Sequence, residues 1–416
     1  MRKLLLFMML LIVWLTVSIL PAQEYEYLGL QNRQITSLGI YDGILAVGTQ
    51  EDGVFWHTLD FSDGSEWNLI GLQGQNVLTV YPHKSGPIGW GIGAGMHPNE
   101  SGDSLVYCSY MGEPFEPNNQ GFEETAPAIY DLDGFPDPSI CGETYAAAGH
   151  ALYIREWGED TWTPIYTVYE GSLITVSARV DFPGVVLAGG SEGFAGHLLI
   201  KSTDYGETWE NISPMSFIVD VDFVGARADT IFAVAGQYVY RSFDGGSEWE
   251  IVFAVDIPEY PSFSEVLVDL SNNRVYIAGY NIWGGQTSPL YSDDWGESWT
   301  PILSGRYDPI VGIAASADGD MYVAYESSGI FRIDPEFNFS TEIRFRLDQP
   351  AHTRLQIFNA IGQPVKTLLN GAMQAGKNSV IWDGSNEANE LTVPGVYYYR
   401  LQTENFQRIE RMVLAR

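Results

Sequence analysis

The sequence predicts an all-β protein, a seven-bladed β-propeller followed by a small β-sandwich. Three observations lead there. A short tryptophan-ended word returns at intervals of roughly forty to fifty residues, which is the period of one propeller blade. Apolar or alternating runs of strand length fill the chain between Gly, Asn, Asp and Pro turns, while helical periodicity is nearly absent after the first apolar segment. From Asp334 onward the word disappears and a different succession of strands begins.

At the N-terminus Arg2 and Lys3 precede an apolar run from Leu4 to Leu20, and Pro21 and Ala22 lead into the polar Gln23 and Glu24. That is the pattern of a signal peptide over residues 1–22. A retained anchor is the alternative, since the run nearly spans a bilayer and Leu20 fits the cleavage site imperfectly. Either way the body is expected outside the cytoplasm, with no stable membrane insertion once the segment is cleaved. The formal net charge is −32, from 21 Lys and Arg against 53 Asp and Glu. Such a surface repels phosphate backbones, so nucleic acid is not an expected partner. It suits solubility outside a cell, or the collection of divalent cations. Cys108 and Cys141 are the two cysteines, a candidate disulfide in an oxidising compartment, with two free thiols as the alternative. A bridge would contribute about 3 kcal/mol.

The repeated word is carried by Ser202, Asp204, Gly206 and Trp209, by Ser242, Asp244, Gly246 and Trp249, and by Ser292, Asp294, Gly296 and Trp299. Worn copies end at Trp67 and Trp162. An Asp carboxylate can accept backbone N–H bonds across a tight turn, Gly supplies positive φ, and Trp packs the turn onto its sheet. Reading outward from the words gives the blades. Blade six has strands at Glu265 to Asp269, Val275 to Ala278, Pro289 to Ser292 and Trp299 to Leu303. Blade five has them at Val219 to Phe223, Ile231 to Val234, Tyr238 to Ser242 and Trp249 to Phe253. Blade four runs from Leu173 to Ser213, and blades one, two and three span about residues 35–71, 76–122 and 126–166, blade two without the word. Ile310 to Ala314, Met321 to Tyr325 and Gly329 to Ile333 supply three strands of a seventh blade. Tyr25 to Leu30 has the character of a fourth strand and would complete it, closing the ring and removing exposed sheet edges. If residues 85–125 are an insertion instead, the ring has six blades.

The word resembles the Asp-box, or BNR repeat, of sialidase-like, sortilin-type and photosystem-assembly-type propellers, and the resemblance sets the propeller domain at residues 23–334. It implies that Asp204, Asp244 and Asp294 sit on turns between third and fourth strands, away from the axial opening, in a structural role. A sialidase would also need an arginine triad, a tyrosine nucleophile with its glutamate, and an acid aspartate. Arg155, Arg241 and Arg332 read instead as third-strand residues, and no Arg-Ile-Pro-like word stands near the start of the propeller, so no catalytic residue is assigned. A two-carboxylate glycoside hydrolase of the Asp-box class stays open, because its acids carry no local motif.

Residues 335–416 are expected to form the sandwich, with strands at Thr341 to Leu347, Thr353 to Asn359, Ser379 to Trp382, Gly395 to Thr403 and Gln407 to Leu414. The words around Phe337 to Phe345, Ile357 to Val365, Trp382 to Gly384, Val393 to Arg400 and Arg411 to Leu414 resemble, in that order, the C-terminal sorting domain of type IX secretion substrates. That domain is similar to the Ig-like domain of flagellar hook-capping proteins. The resemblance implies the type IX secretion machinery as a partner. It also implies delivery to the cell surface or medium through the periplasm of a Gram-negative-type bacterium. One departure is the opening segment, where the usual Asn-Pro-Phe-Asn-Pro stands as Asp334 to Phe339. A plain sandwich that stabilises or dimerises the protein is the alternative.

Ligands of propellers usually meet the loops between second and third strands and the inter-blade links. Those loops carry His97, Asn99 and Glu100 in blade two, Glu192, Phe194 and His197 in blade four, and Asn281, Trp283 and Gln286 in blade six. A Trp face beside amides suits a sugar, and a Trp that merely packs its own loop is the plainer reading. Asp131, Asp133 and Asp137 have the alternate spacing by which a short loop wraps calcium, without the distal glutamate of an EF-hand. A solvated turn is the competing reading there, and no other cofactor is expected. The function that follows is an exported, non-enzymatic propeller binding an extracellular protein or glycan.

Overall fold

The structure, a computed structural model, describes residues 16–18 and 25–414 except 62–65, 86–88, 98–104, 123–127, 135–142, 157–158, 180, 194–195, 215–216, 256–260, 282–288, 303–307, 334–340, 383, 388–391, 393–394 and 405. Among the described residues there is no helix. The chain divides into two units, Glu26–Ile333 and a second made of Asp334–Arg416 with the N-terminal segment.

In Glu26–Ile333 the described residues form seven four-stranded antiparallel sheets, each a meander in chain order except the last. Blades 1 to 6 run from Ile35 to Gly71, Val77 to Pro117, Asp131 to Thr167, Gly171 to Asn211, Asp220 to Ala254 and Pro261 to Pro301. Blade 2 therefore has its own sheet, so the stretch 85–125 contributes strands and is not an insertion outside the ring. The seventh blade takes Ile310–Ala315, Met321–Tyr325 and Gly329–Ile333, and its outer strand is Glu26–Gly29, paired with Gly329–Ile333. Each innermost strand touches the innermost strand of the next blade, and that of the seventh touches that of the first, so the ring is closed.

Burial explains the order of strands within a blade. Second strands such as Ile44–Thr49 are buried at every position, because both faces lie against neighbouring sheets. The outermost strands are mostly exposed or only partly buried, as in Asn68–Gly71 and Thr163–Thr167. Val185, Leu187 and Leu199 of blade 4 interlock with Val221, Phe223, Ile231 and Ala233 of blade 5 in one core cluster. Each such buried Val, Leu, Ile or Phe side chain is worth about 1.5–3 kcal/mol.

The repeated turns are built alike. The Ser202 hydroxyl accepts the Gly206 N–H at 2.8 Å and donates to Asp204 at 2.7 Å, while Asp204 accepts the Thr208 N–H at 2.9 Å. The corresponding distances are 2.9, 2.9 and 2.9 Å around Ser242 and Asp244, and 2.7, 2.8 and 2.9 Å around Ser292 and Asp294. Gly206, Gly246 and Gly296 have φ of 89°, 96° and 94°, which any side chain would strain. Trp209, Trp249 and Trp299 pack at the junctions of blades 3 and 4, 4 and 5, and 5 and 6. Their indole N–H groups differ. That of Trp249 reaches the Ile212 carbonyl of the preceding blade at 2.8 Å, and that of Trp209 its own Gly206 carbonyl at 3.0 Å. That of Trp299 has no partner among the described residues. A third link recurs: the Tyr205, Gly245 and Trp295 carbonyls accept from Tyr145, Lys201 and Arg241 of the blade before.

The fourth strand of blade 6 is shorter than the sequence suggests. Its ladder holds Thr300–Pro301, with 303–307 outside the described residues. In the tail one sheet has the order Pro364–Met373, Ala351–Asn359, Gly395–Gln402, Gln407–Leu414, and the other pairs Thr341–Leu347 with Gly376–Trp382. Ile343, Phe345, Leu355, Ile357, Trp382 and Tyr399 are at the centre of its core. Pro364–Met373 was not expected as a strand, and no position in it is fully buried. Of the segment read as a signal peptide only Thr16–Ser18 is described, as an edge strand on Glu342–Arg344. Among the described residues no helix is long and apolar enough to cross a membrane.

Candidate functional site at the propeller axis

Side chains of the seven innermost strands meet around the axis, and the strand period decides which. The register irregularities fall at Ile35/Ser37, Val77/Thr79, Leu173/Thr175, Phe263/Glu265 and Ile310/Gly312. They set Ser37, Thr79, Thr175, Glu265 and Gly312 at corresponding places near the start of each strand. Asp131 and Asp220 open the strands of blades 3 and 5, and two residues on stand Asp133 and Asp222.

These aspartates reach across to the next blade. Asp131 and Asp133 accept the Val176 and Ala178 N–H groups at 3.0 and 2.8 Å. Asp220 and Asp222 accept those of Val266 and Val268 at 2.8 and 2.7 Å. The other oxygen of each takes the N–H of the following residue, Leu132, Gly134, Val221 or Phe223, at 2.8–2.9 Å. The Thr175 hydroxyl lies 2.9 Å from Asp220 and 3.4 Å from Asp131. Arg179 Nη1 donates to both oxygens of Asp222, at 3.1 and 2.9 Å, and to the Val268 carbonyl at 2.9 Å. Glu265 makes no hydrogen bond among the described residues.

Burial away from water disfavours the charged form of these acids. It lifts Asp131 to about 6 against the pull of the Val176, Leu132, Thr175 and Thr79 hydrogen bonds. It lifts Asp220 to about 8, with Asp131 adding repulsion. Asp133 and Glu265 are pushed well up for the same first reason, and Asp220 and Asp131 raise Glu265 further. Two cavities follow the axis. The smaller, about 240 Å³, lies at the strand beginnings, beside the inter-blade links, and includes Ser37, Thr79 and Thr175. The larger, about 410 Å³, extends to the strand ends and includes Tyr81, Asp133, Arg179 and Asp222. Asp131, Asp220 and Glu265 line both. Chemically the arrangement offers buried carboxyl groups whose proton affinity is raised, that of Asp220 to about 8.

This overturns the loop expected at Asp131 and Asp133. Asp131–Gly134 is an innermost strand, and both carboxyls are filled by backbone N–H groups because the blade interface removes them from water. Asp137 lies outside the described residues, as does Cys141. The Cys108 thiol is partly buried, 3.6 Å from Arg155 Nη1. Of the loop residues, Asn99, Glu100, Phe194, Trp283 and Gln286 lie outside the described residues. His97 is exposed, with its N–H on the Asn76 carbonyl at 3.1 Å. Glu192 ends the second strand of blade 4, His197 precedes the third strand of that blade, and Asn281 ends the second strand of blade 6. Of the described side chains among them, His97, Glu192 and His197 do not line the axial cavities. Asp204, Asp244 and Asp294 stay low, held first by Thr208, Glu248 and Ser298 respectively, which stabilise the charged form.

Sequence reasoning passed over Asp220, Asp222, Glu265, Thr175 and Arg179. A signal was present: Asp131/Asp133 and Asp220/Asp222 alternate with apolar residues at the head of first strands, where a blade interior should be apolar, and Thr175/Ser177 falls between them at the same place.

Comparison with known proteins separates the two units. Residues 334–406 match the FlgD Ig-like domain. None of the curated proteins matches the chain. Among solved structures, the WD40 β-propeller domain of Doa1 superposes with a TM-score of 0.55 at 11% identity, over 76% of this chain and 98% of its own. YCF48 from Cyanidioschyzon merolae gives 0.54 at 14% identity, over 75% and 99%. PorZ, a surface component of the type-IX secretion system of Porphyromonas gingivalis, gives 0.50 at 12% identity, over 92% of this chain and 60% of that one. At such identities the likeness shows the fold, a β-propeller.

Proposed function

We propose that this chain is an exported propeller that binds an extracellular protein or glycan, and that its C-terminal Ig-like domain is a type IX sorting signal. The observation that carries this reading is the pairing of a closed propeller with a FlgD-type Ig-like domain, two units that PorZ also aligns with across 92% of the chain. The Asp-box resemblance supports a structural part for Asp204, Asp244 and Asp294, whose carboxylates are spent on their own turns. Deleting residues 335–416 tests the sorting half: the protein should stop in the periplasm, and unchanged surface delivery would refute it. A glycan array beside polysaccharide hydrolysis assays tests the other half, with binding and no turnover as the expected result.

A glycoside hydrolase is the second reading, favoured by carboxyl groups on the axis. It requires two carboxyl groups about 5–10 Å apart and free to act on substrate. Asp131, Asp133, Asp220 and Asp222 each have both oxygens engaged by backbone N–H groups. Glu265 has no hydrogen bond among the described residues and Asp181 only a 3.8 Å ion pair with Arg179, so a hydrolytic reading would rest on these two acids.

A further inference from the structure

Six carboxyl groups line the larger axial cavity, those of Asp131, Asp133, Asp181, Asp220, Asp222 and Glu265. One cation lines it with them, Arg179, and it is already committed to Asp222 at 2.9 Å with Asp181 at 3.8 Å. Asp131, Asp133, Asp220 and Glu265 have no ion-pair partner among the described residues. A second observation is independent of these acids. Tyr81, from the innermost strand of blade 2, lines the same cavity, and its hydroxyl is buried with no hydrogen-bond partner among the described residues. A cavity of about 410 Å³ falls in the size range of small-molecule sites, roughly 300–1,000 Å³. Among the described residues no three acidic, His or Cys side chains converge closely enough to hold a metal ion. The carboxyl groups are spread along a cavity and not gathered at a point, which suits an elongated cation with several N–H donors.

We propose that the larger axial cavity is a binding site for an organic cation, an alkylammonium or guanidinium group, brought either by a free amine or by a lysine or arginine side chain of a partner protein. The proposal does not depend on the loop-face reading. Charge supports it twice. A net charge of −32 draws cations toward the protein, and inside the cavity the low dielectric strengthens each carboxylate–cation attraction. Glu265 is the free acceptor, with two oxygens and no competing donor. Burial disfavours the charged forms of Glu265 and Asp220, and a bound cation favours them, so binding should release protons.

Proton release is the signature that separates this site from ordinary attraction to surface acids. Cadaverine, agmatine and the blocked amino acids Nα-acetyl-lysine methylamide and Nα-acetyl-arginine methylamide are titrated calorimetrically into the full chain at pH 7, in two buffers of different ionisation enthalpy. Saturable one-site binding with buffer-dependent heat is expected for at least one of them. Preference for the free amines assigns a free ligand, and preference for the blocked amino acids assigns a partner side chain. Glu265→Gln, which cannot ionise and breaks no hydrogen bond, should weaken binding by about tenfold or more, and pH 5 should weaken it likewise. Asp181→Asn, at the half-exposed mouth, should weaken it less. The proposal is overturned by absence of saturation below about 20 mM, by equal affinity in Glu265→Gln, by buffer-independent heat, or by calcium binding more tightly than any of the four amines.

Discussion

At the scale of single residues the ring is held by polar groups that work in pairs across blade boundaries. Arg179 and Asp222 are the sharpest case, with side chains 17% and 9% exposed. Asp222→Ala would leave the guanidinium with only its 3.8 Å ion pair to the exposed Asp181, and the Val268 N–H without an acceptor. Breaking one partner of a buried pair costs about 3–5 kcal/mol, so the unfolding midpoint in denaturant should fall with little change in slope. The turn words give a gentler test. Ser242→Ala removes the hydroxyl that accepts the Gly246 N–H at 2.9 Å and should cost about 1–3 kcal/mol, with faster amide exchange at Gly246 than at Gly206 or Gly296. The tryptophans are alike in packing and unlike in bonding. Trp249→Phe gives up a bond to the preceding blade and should destabilise more than Trp209→Phe, whose indole serves its own turn.

Among the elements, the strand Glu26–Gly29 carries the most leverage for its length. It supplies the outer edge of blade 7, pairs Glu26 with Arg332 and Tyr27 with Phe331, and brings Leu28, whose carbonyl accepts the Trp67 indole N–H at 2.7 Å. One strand thus ties blade 7 to blade 1. A chain beginning at Gln31 should keep each blade's hairpins but lose closure. Limited proteolysis within Ile310–Ile333 should then accelerate, and a peptide spanning Tyr25–Leu30 should slow it again. An unchanged cleavage pattern would show that the ring closes without that strand. The innermost strands show a second property of elements. Alternation places Asp, Thr and Ser toward the next blade while the neighbours in sequence pack as core, so one short segment is both a wall of the cavity and a joint between blades.

For the whole molecule the axial acids govern the response to pH. The folded pKa values of Asp131 and Asp220, about 6 and about 8, lie above the usual carboxylate value near 4. The folded state therefore holds more protons than the unfolded chain between these limits. Their contribution to stability is full at pH below about 4 and is lost as pH rises through about 6 and then about 8. The thermal midpoint should accordingly decline from pH 5 to pH 9, and Asp220→Asn should flatten the upper part of that decline. The turn aspartates act in the opposite sense. Their pKa values lie below the ordinary value, so they lose their contribution only as the solution becomes acid.

Much of the architecture was legible because it is written in local chemistry. The Ser, Asp, Gly and Trp words fix hairpins whose bonds run within a few residues, and alternation fixes which strand faces are apolar, so the blades from Asp220 to Pro301 and the closing role of Tyr25 to Leu30 could be read from spacing. The strand at Pro364–Met373 escaped because its pattern is half-exposed along its length. Tertiary structure alone decided the axial site. Asp131 and Asp220 stand 89 positions apart and meet only because blades 3 and 5 flank the same axis. A carboxylate's meaning depends on how much water surrounds it: the spacing that suggested a solvated turn or a calcium loop became a buried inter-blade joint once the ring closed over it.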